Sequence, residues 1–478
     1  MREAVLALDI GTSGARAALV GIDGEILDRA QTRYGFHCDE RTGTSEQDPE
    51  EVLAQVLAVI GRCCAGGGVS IRAVSAASAM HSLMLVDETG RPLTPLSLWG
   101  DSRAKRQCEA YRQAYRQGGW HGKTGCLLSP SYPFPRLLWY RENHPQLFGR
   151  FARAVSIKAY VLFRMTGLWA EDECNASGSG LMNLRSRAWD GELLSYAGLS
   201  ADRLPELVPT EQAIFRGRPA LISVPGVEDA TVWIAGAGDG PLCHRASAGD
   251  CVSTASLSIG TSAAARLSPG SVEPGSLSEQ IWCYVLDAGR HVLGLSSSNG
   301  GSVLEWGARA LFPGGPTLAQ LDEALGNRPS DPQLFFLPYL YPERDALITR
   351  RPQAGFAGVK PHHDAFDLLR AVVEGIAFHA AALHEELAKT GGTRVVVSGG
   401  AARLTTLRSV LAELLDEMWL FADGADATLL GAADLAWTAL GATPRRDRPL
   451  RRDPGPPSSA SRDKYDRWKE IARGRVSE

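Results

Sequence analysis

Leu8-Asp9-Ile10-Gly11-Thr12-Ser13, close to the start of the chain, returns nearly letter for letter as Leu257-Ser258-Ile259-Gly260-Thr261-Ser262. Each copy reads as a short apolar strand that ends in a Gly-Thr-Ser turn and is followed by a second strand. Such a turn offers backbone N–H groups and two hydroxyls to an anion, and its glycine lets the backbone come close. Two copies half a chain apart point to two related lobes closing on one polyphosphate. Asp9 is present only in the first copy, where Ser258 stands in the second, so the lobes have unequal roles.

With 478 residues the chain is too long for one core, and two domains are expected, 1–242 and 243–478. The hydrophobic and charged fractions, 44% and 22%, are those of a globular protein. A formal charge of -4 gives no reason to expect nucleic acid or an anionic membrane as partner. The nine cysteines are odd in number, scattered and without C-x2-C spacing, which reads as reduced thiols in a cytoplasmic protein. Asp9 comes before any signal-like apolar stretch develops, and no run approaches the ~20 apolar residues of a membrane span. The prior for a soluble assembly is a homodimer.

Residues 4–9, 15–21 and 25–33 read as strands, the last two joined by the hairpin signal Asp23-Gly24. Asp48 and Pro49 open a helix running to about residue 61, as N-cap and first helical residue. Strands follow at 71–77 and 82–87, and the stretch from 100 to about 220 reads as a mostly helical insertion. The second lobe repeats the plan with strands at 252–259, 262–267, 281–286 and 291–296, a long helix at 364–389 and a stop at Gly391-Gly392. A strand at 394–398 and a helix at 404–416 come next. Residues 441–461 form a Pro-, Arg- and Ser-rich surface connection to a last helix at 463–472.

Three groups of residues carry chemistry. Asp9, at the end of the first strand, is placed to hold magnesium through water; the alternative is a strand-end acid accepting backbone hydrogen bonds. A Walker-type P-loop and a dinucleotide fingerprint are both absent. Asp239, in Gly236-Ala237-Gly238-Asp239-Gly240, has an unshielded carboxylate able to take the proton of a hydroxyl attacking phosphorus; the alternative is a plain turn aspartate. Met80-His81-Ser82 and Trp99-Gly100-Asp101-Ser102-Arg103 supply an aromatic face and polar groups suited to a polyol, Arg103 also to a carboxylate. The alternative is a structural Asp101–Arg103 ion pair with Trp99 in the core. His362-His363-Asp364 reads as a helix-capping segment, His379 and His384 do not share a helix face, and Trp419 and Trp437 read as packing residues.

Taken together, these pieces resemble the FGGY carbohydrate kinases. Ala354-Gly355-Phe356-Ala357-Gly358-Val359, then Asp367-Leu368 and Ala371-Val372-Val373-Glu374, match the family's C-terminal signature. Ser131-Tyr132-Pro133 and Arg136-Leu137-Leu138-Trp139 resemble the N-terminal one, with Arg136 where lysine is usual. Glu46-Gln47-Asp48-Pro49 and Gly431-Ala432-Ala433 add to the likeness. It implies an α/β fold of two ribonuclease H-like (actin-like ATPase) domains with a cleft between them, using ATP and Mg2+. By this resemblance Asp239 is the catalytic base and, with Asp9, faces the metal. Gly11, Thr12, Ser13 and Arg16 match the first phosphate loop and Gly260 with Thr261 the second. Gly300-Gly301 match a helix start, and Gly400-Ala401 the adenosine motif. Met80, His81, Trp99, Asp101 and Arg103 match sugar-contacting positions. Pro342-Glu343-Arg344-Asp345-Ala346 departs from the family's Gly-Glu-Arg-x-Pro near the sugar, and Arg403-Leu404-Thr405 from the polar residue usual after the adenosine motif.

Residues 78–83 and Asn175-Ala176-Ser177-Gly178-Ser179-Gly180-Leu181-Met182-Asn183-Leu184 look like the gluconokinase form of this family. The expected reaction is therefore phosphorylation of D-gluconate to 6-phosphogluconate, with a pentulose such as D-xylulose as the alternative. A rival of another class is a non-catalytic actin-like ATP-binding or sugar-sensing protein. A pure ATPase has no need of a sugar wall, and no helix-turn-helix pattern precedes Met1-Arg2-Glu3 to suggest a repressor.

Overall fold

The computed structural model describes residues 2–249, 252–326, 328–341, 343, 353–392, 394–421, 426–444, 450–452 and 459–477. The chain forms two units: Met1–Gly249 with Ser271–Val292 and Asp426–Asp447, and Asp250–Gly270 with Leu293–Ala425 and Arg448–Glu478.

The first unit is built on a six-stranded sheet in the order Ala213–Arg216, Val232–Gly238, Val69–Ser78, Arg2–Ile10, Ala15–Val20, Ile26–Gln31. A nearly unbroken apolar run explains the central strand: Ala4 to Ile10 are all buried, the pattern of a strand covered on both faces. Arg2–Ile10 pairs antiparallel with Ala15–Val20 and parallel with Val69–Ser78, which in turn pairs parallel with Val232–Gly238. In register, Ile10 lies beside Ser78 and Ser78 beside Gly238. Three parallel strands thus end side by side, and the residues that follow them are Gly11, Ala79-Met80-His81 and Asp239. Crevices beyond the carboxyl ends of parallel strands are where open α/β sheets bind ligands.

A bulge between Ile234 and Ala237 sets the last of these ends. Gly236 there has φ 80°, and a Cβ on it would stand 2.0 Å from the Ala76 carbonyl oxygen, so only glycine fits. The helix Pro49–Cys64 begins as expected, the Asp48 side chain accepting from the Glu50 N–H at 2.9 Å, and packs Val52, Val56, Val59 and Ile60 onto the sheet. Each such buried aliphatic side chain contributes roughly 1.5–3 kcal/mol. Residues 100–220 are mainly helical, with helices Lys105–Gln117, Pro133–Asn143 and Ile157–Thr166 and several short strands.

The second unit repeats the plan. Its strands run Arg290–Ser297, Ala263–Leu267, Thr254–Ile259, Arg394–Ser398, Glu417–Phe421, Leu450–Arg452. Thr254–Ile259 pairs antiparallel with Ala263–Leu267 and parallel with Arg394–Ser398, so Gly260 and Gly399 leave neighbouring strand ends. The helix Ala365–Ala388 is opened by a capping box of Asp364 and Asp367 and buries Leu369, Val372, Val373 and Ile376. The last helix is longer than its sequence suggests, Ser459–Ser477. It is held by a buried Lys464–Glu374 ion pair and by Trp468, whose indole N–H donates to the Phe336 carbonyl at 2.9 Å. The arginine-rich stretch 445–449 and Pro342, Arg344 and Ala346 lie outside the described residues.

Candidate active site

In the first Gly-Thr-Ser turn the carbonyls are tied from within. Tyr34 donates its hydroxyl to the Gly11 carbonyl at 2.7 Å, and Gln47 Nε2 donates to the Thr12 carbonyl at 2.6 Å. Burial, then nearby Asp9, pushes the Tyr34 hydroxyl well above its ordinary pKa, which keeps it a donor. Ser13 is exposed and Gly11 and Thr12 partly so, which leaves the turn open to an anion. Asp9, 5% exposed, faces Arg16 across the strand pair, whose Nε donates to Oδ2 at 3.0 Å. Gln47 and Tyr34 carry no role in the sequence reading; Gln47 sits in the quoted Glu46-Gln47-Asp48-Pro49 motif, which is its only signal.

Met80 and His81 follow the neighbouring strand. His81 is in the left-handed region at φ 64°, unusual for a residue with a side chain. Three contacts hold it there. Its Nδ1 lies 2.7 Å from the Gly178 carbonyl oxygen, its ring meets Tyr132 edge-on at 4.8 Å, and its own carbonyl accepts from Arg136. Arg136 is 2% exposed and its other bonds go to Ser97 Oγ at 2.7 Å, Ser131 O at 2.8 Å, Leu98 O at 3.1 Å and Tyr132 O at 3.2 Å. Burial pulls its pKa down to about 10, so the guanidinium remains charged near neutrality. The departure from lysine in the N-terminal signature is thus a hub that fixes the backbone of the candidate sugar wall's two halves, residues 81 and 97–98.

Trp99 donates its indole N–H to Thr12 Oγ1 at 3.2 Å, bringing this residue to the first phosphate turn. Asp101 and Arg103 form the structural pair that the sequence offered as the alternative. Arg103 Nε lies 3.1 and 3.0 Å from the two Asp101 oxygens, Nη2 lies 2.5 Å from Glu46 Oε1, and the guanidinium stacks 4.6 Å from the Trp139 ring. Asp101 also accepts from the Ser45 N–H at 3.2 Å, and its side chain is fully buried. Burial works against the Arg103 charge, but Asp101 and Glu46 outweigh it and raise the pKa. Asp101 is thus spent on this pair, while Arg103 keeps part of its surface exposed.

Asp239 is the first residue of the helix Asp239–Ala248, partly exposed, with Oδ1 accepting from the Gly240 N–H at 2.8 Å. Met80 packs on the backbone just before it: a Cβ on Gly238 would stand 2.6 Å from Met80 Cγ. The helix Ala427–Ala439 supports the Asp239 helix at zero clearance, since a Cβ on Gly431 would stand 2.0 Å from the Leu242 carbonyl oxygen. The first unit therefore assembles Asp9, Gly11–Ser13, Arg16, Met80, His81, Trp99 and Asp239 at one end of its sheet.

In the second unit three segments meet. The Gly301 N–H donates to the Gly260 carbonyl at 2.6 Å, and Ser302 Oγ to the Thr261 carbonyl at 2.9 Å. Gly399 has φ 99°, and a Cβ there would stand 2.4 Å from the Ile259 carbonyl oxygen; a Cβ on Gly301 would lie 3.8 Å from that of Ala401. A Cβ on Gly260 or Gly400 would meet nothing within 4 Å, so these faces are open. Gly300 is the N-cap of the helix Gly301–Leu311. Just before it, buried Asn299 donates to Glu343 Oε1 at 2.7 Å, which also takes the Ser297 hydroxyl at 2.7 Å. Glu343, in the segment that departs from the family, is thus an anchor for this loop.

Asp331, His362 and His363 gather near the long helix. His363 Nδ1 accepts from the Lys360 N–H at 3.0 Å, which puts its proton on Nε2, 3.0 Å from Asp331. That is a hydrogen bond of a capping segment, and it holds Asp331 down to about 2. Trp437 is buried, while Trp419 is half-buried under Arg394.

Residues 4–243 match the N-terminal domain of the FGGY family of carbohydrate kinases, and residues 256–440 the C-terminal domain. The chain belongs to this family and is a carbohydrate kinase, a phosphotransferase. A gluconokinase of Bacillus licheniformis is 27% identical over 460 residues, covering 92% of this chain and 88% of that protein. A xylulose kinase of Escherichia coli (strain K12) is 28% identical over 447 residues, covering 91% and 90%. A solved gluconate kinase from Lactobacillus acidophilus superposes with a TM-score of 0.90 at 25% identity, covering 100% of this chain and 99% of that one. The α/β fold of two ribonuclease H-like, actin-like ATPase domains follows from this likeness and from the two sheets. No described helix is long and apolar enough to cross a membrane.

Proposed function

We propose that this kinase transfers the γ-phosphoryl group of ATP to a primary hydroxyl of an open-chain sugar or sugar acid, D-gluconate being converted to 6-phosphogluconate. The observation that carries the reading is the alignment of Asp9, Met80-His81 and Asp239 at adjacent parallel strand ends. Asp239 takes the proton of the attacking hydroxyl as oxygen bonds to phosphorus and ADP leaves. His81, Met80 and Trp99 bind the sugar, with Asp101 and Arg103, joined to each other and to Glu46, in the same wall.

The open faces at Gly260 and Gly400 fit the close approach of a nucleotide, and the partly exposed turn Gly11–Ser13 fits phosphate oxygens. Gly11, Thr12, Ser13 and Arg16 would bind phosphates in the first unit, and Gly260, Thr261, Gly300 and Gly301 in the second, with Gly400 and Ala401 at the adenosine. Asp9 and Asp239 are the oxygen donors that would hold Mg2+, which neutralises phosphate charge when bound. The described cysteines are free thiols, which supports a cytoplasmic setting. Gluconate is favoured by the gluconokinase-like segments 78–83 and 175–184; the likeness to xylulose kinases supports D-xylulose as the second reading. ADP release measured across polyols, ketoses and sugar acids decides: turnover of D-xylulose without turnover of gluconate removes the first choice. The absence of any sugar-dependent ADP release would favour the non-catalytic reading.

A further inference from the structure

A cavity is lined by His81 together with Ser156, Glu171, Asn175, Ser179 and Trp189. Glu171 is 5% exposed, and its Oε1 has no hydrogen-bond partner among the described residues. Its carboxyl takes hydrogen bonds from Ser156, but a buried carboxylate with one oxygen unpaired is still costly, which favours a neutral group or a counter-charge. The charged groups around it are few. Asp172 follows it on the strand Ala170–Asp172, and Lys158, on the helix Ile157–Thr166, is paired with Asp172. Glu173 on the next helix is turned to Arg187, Glu206 on the neighbouring strand is exposed, and His81 lines the same cavity.

Asp172 is the link to the sugar wall. It caps the short helix Glu173–Ser177, accepting from the Asn175 N–H at 3.0 Å, while Asn175 Nδ2 donates to Asp172 Oδ2 at 3.0 Å and to Ser78 Oγ at 3.2 Å. Ser78 ends the strand that leads into Met80-His81, and Gly178 directly after the helix carries the carbonyl bonded to His81 Nδ1.

We propose that Glu171 is a positioning residue for His81: as a neutral acid it leaves Lys158 to Asp172, and as a carboxylate it competes for Lys158, loosens the Asp172 cap and shifts the Gly178 carbonyl that seats the imidazole. This rests on His81 belonging to the sugar site. Burial, then Asp172 beside it, pushes the Glu171 carboxyl up to about 8, with Lys158 pulling the other way. The neutral form therefore prevails at pH 7, and the loosening sets in above about pH 8.

The test compares wild type with Glu171→Gln, a neutral isostere, using D-gluconate, or D-xylulose where the panel selects it. In wild type KM for the sugar rises about fivefold or more between roughly pH 7 and pH 9.5, the low end of a two-site coupling, while kcat follows the variant's. In Glu171→Gln KM stays level over that range. An independent readout is stability. Below the ordinary value of 4.5 the group is neutral folded and unfolded, and between there and about 8 only the unfolded chain ionises. The Tm of Glu171→Gln minus that of wild type therefore grows across this window and levels off above it. The same KM rise in both proteins overturns the inference, as does a wild-type KM that is flat with pH, a result available even if the variant does not fold. His81→Ala separates the two readings: if it leaves KM unchanged, the sugar-site assignment fails, whereas a raised KM there with parallel pH profiles sinks only the role of Glu171.

Discussion

Arg136→Lys is the sharpest perturbation of the sugar wall, because lysine is the family's usual residue at this position and keeps the charge. The guanidinium makes five hydrogen bonds, to His81 O, Ser97 Oγ, Leu98 O, Ser131 O and Tyr132 O. An ammonium has three donors, so at least two acceptors in a site 2% exposed lose theirs. A hydrogen bond to a charged group is worth about 1.5–3 kcal/mol, giving a loss of about 3–6 kcal/mol. The lower figure corresponds to a Tm decrease of roughly 6–12 °C for a unit of this size. If the His81 carbonyl is among the losers, its left-handed backbone relaxes, and KM for the sugar rises roughly tenfold or more for a bond of that worth. Thermal unfolding by circular dichroism and steady-state ADP release measure both quantities. A variant that melts within about 2 °C of wild type with KM within twofold would refute the hub argument.

Further expectations concern other parts of the molecule. Asp239→Ala should lower kcat by roughly 10²–10⁴-fold while calorimetric sugar binding persists; retained turnover would remove Asp239 from the role of base. Lys464→Met takes one of two cations from buried Glu374 and leaves Arg370 Nε on it at 3.1 Å, so it should cost less than the about 3–5 kcal/mol of a stranded buried charge, and Lys464→Met/Arg370→Met should cost more than Lys464→Met alone, as followed by urea unfolding. Gly399→Ala places a Cβ where the Ile259 carbonyl oxygen stands at 2.4 Å, so nucleotide affinity should fall with sugar affinity unchanged; equal loss of both would point to general unfolding.

What the sequence disclosed is local and what it hid is not. The paired Gly-Thr-Ser turns, the Asp48 cap and the glycines around Asp239 declare themselves through neighbours in the chain, and the strand ends they mark are where the sheet puts them. Asp101 and Arg103, two residues apart, allowed either a ligand or an ion pair, and Glu46 from 57 positions away, together with burial, makes the pair. Arg136 reads as a mere departure from a signature because its acceptors come from three separate stretches. Glu171, in Trp169-Ala170-Glu171-Asp172, has the look of a surface acid; only the folding of helices and short strands around it takes it out of water. His362-His363-Asp364 reads as a cap from its place before a long helix and Asp364 is one, whereas the Lys360 N–H on His363 Nδ1 shows only in the fold.

The helix Ala427–Ala439 has a consequence for synthesis. It belongs to the unit that starts at Met1, with Gly431 against the Asp239 helix and the Trp437 indole donating to the Val20 carbonyl at 3.3 Å. A ribosome has therefore passed residue 427, some way beyond residue 249, before the first unit can acquire this support. Until then the sheet face that this helix packs on is covered only in part, with apolar residues open to chaperones or to other nascent chains. Slow codons just upstream of residue 427 would act on the unit that holds residues 2–249, even though they fall far from its other residues in the message.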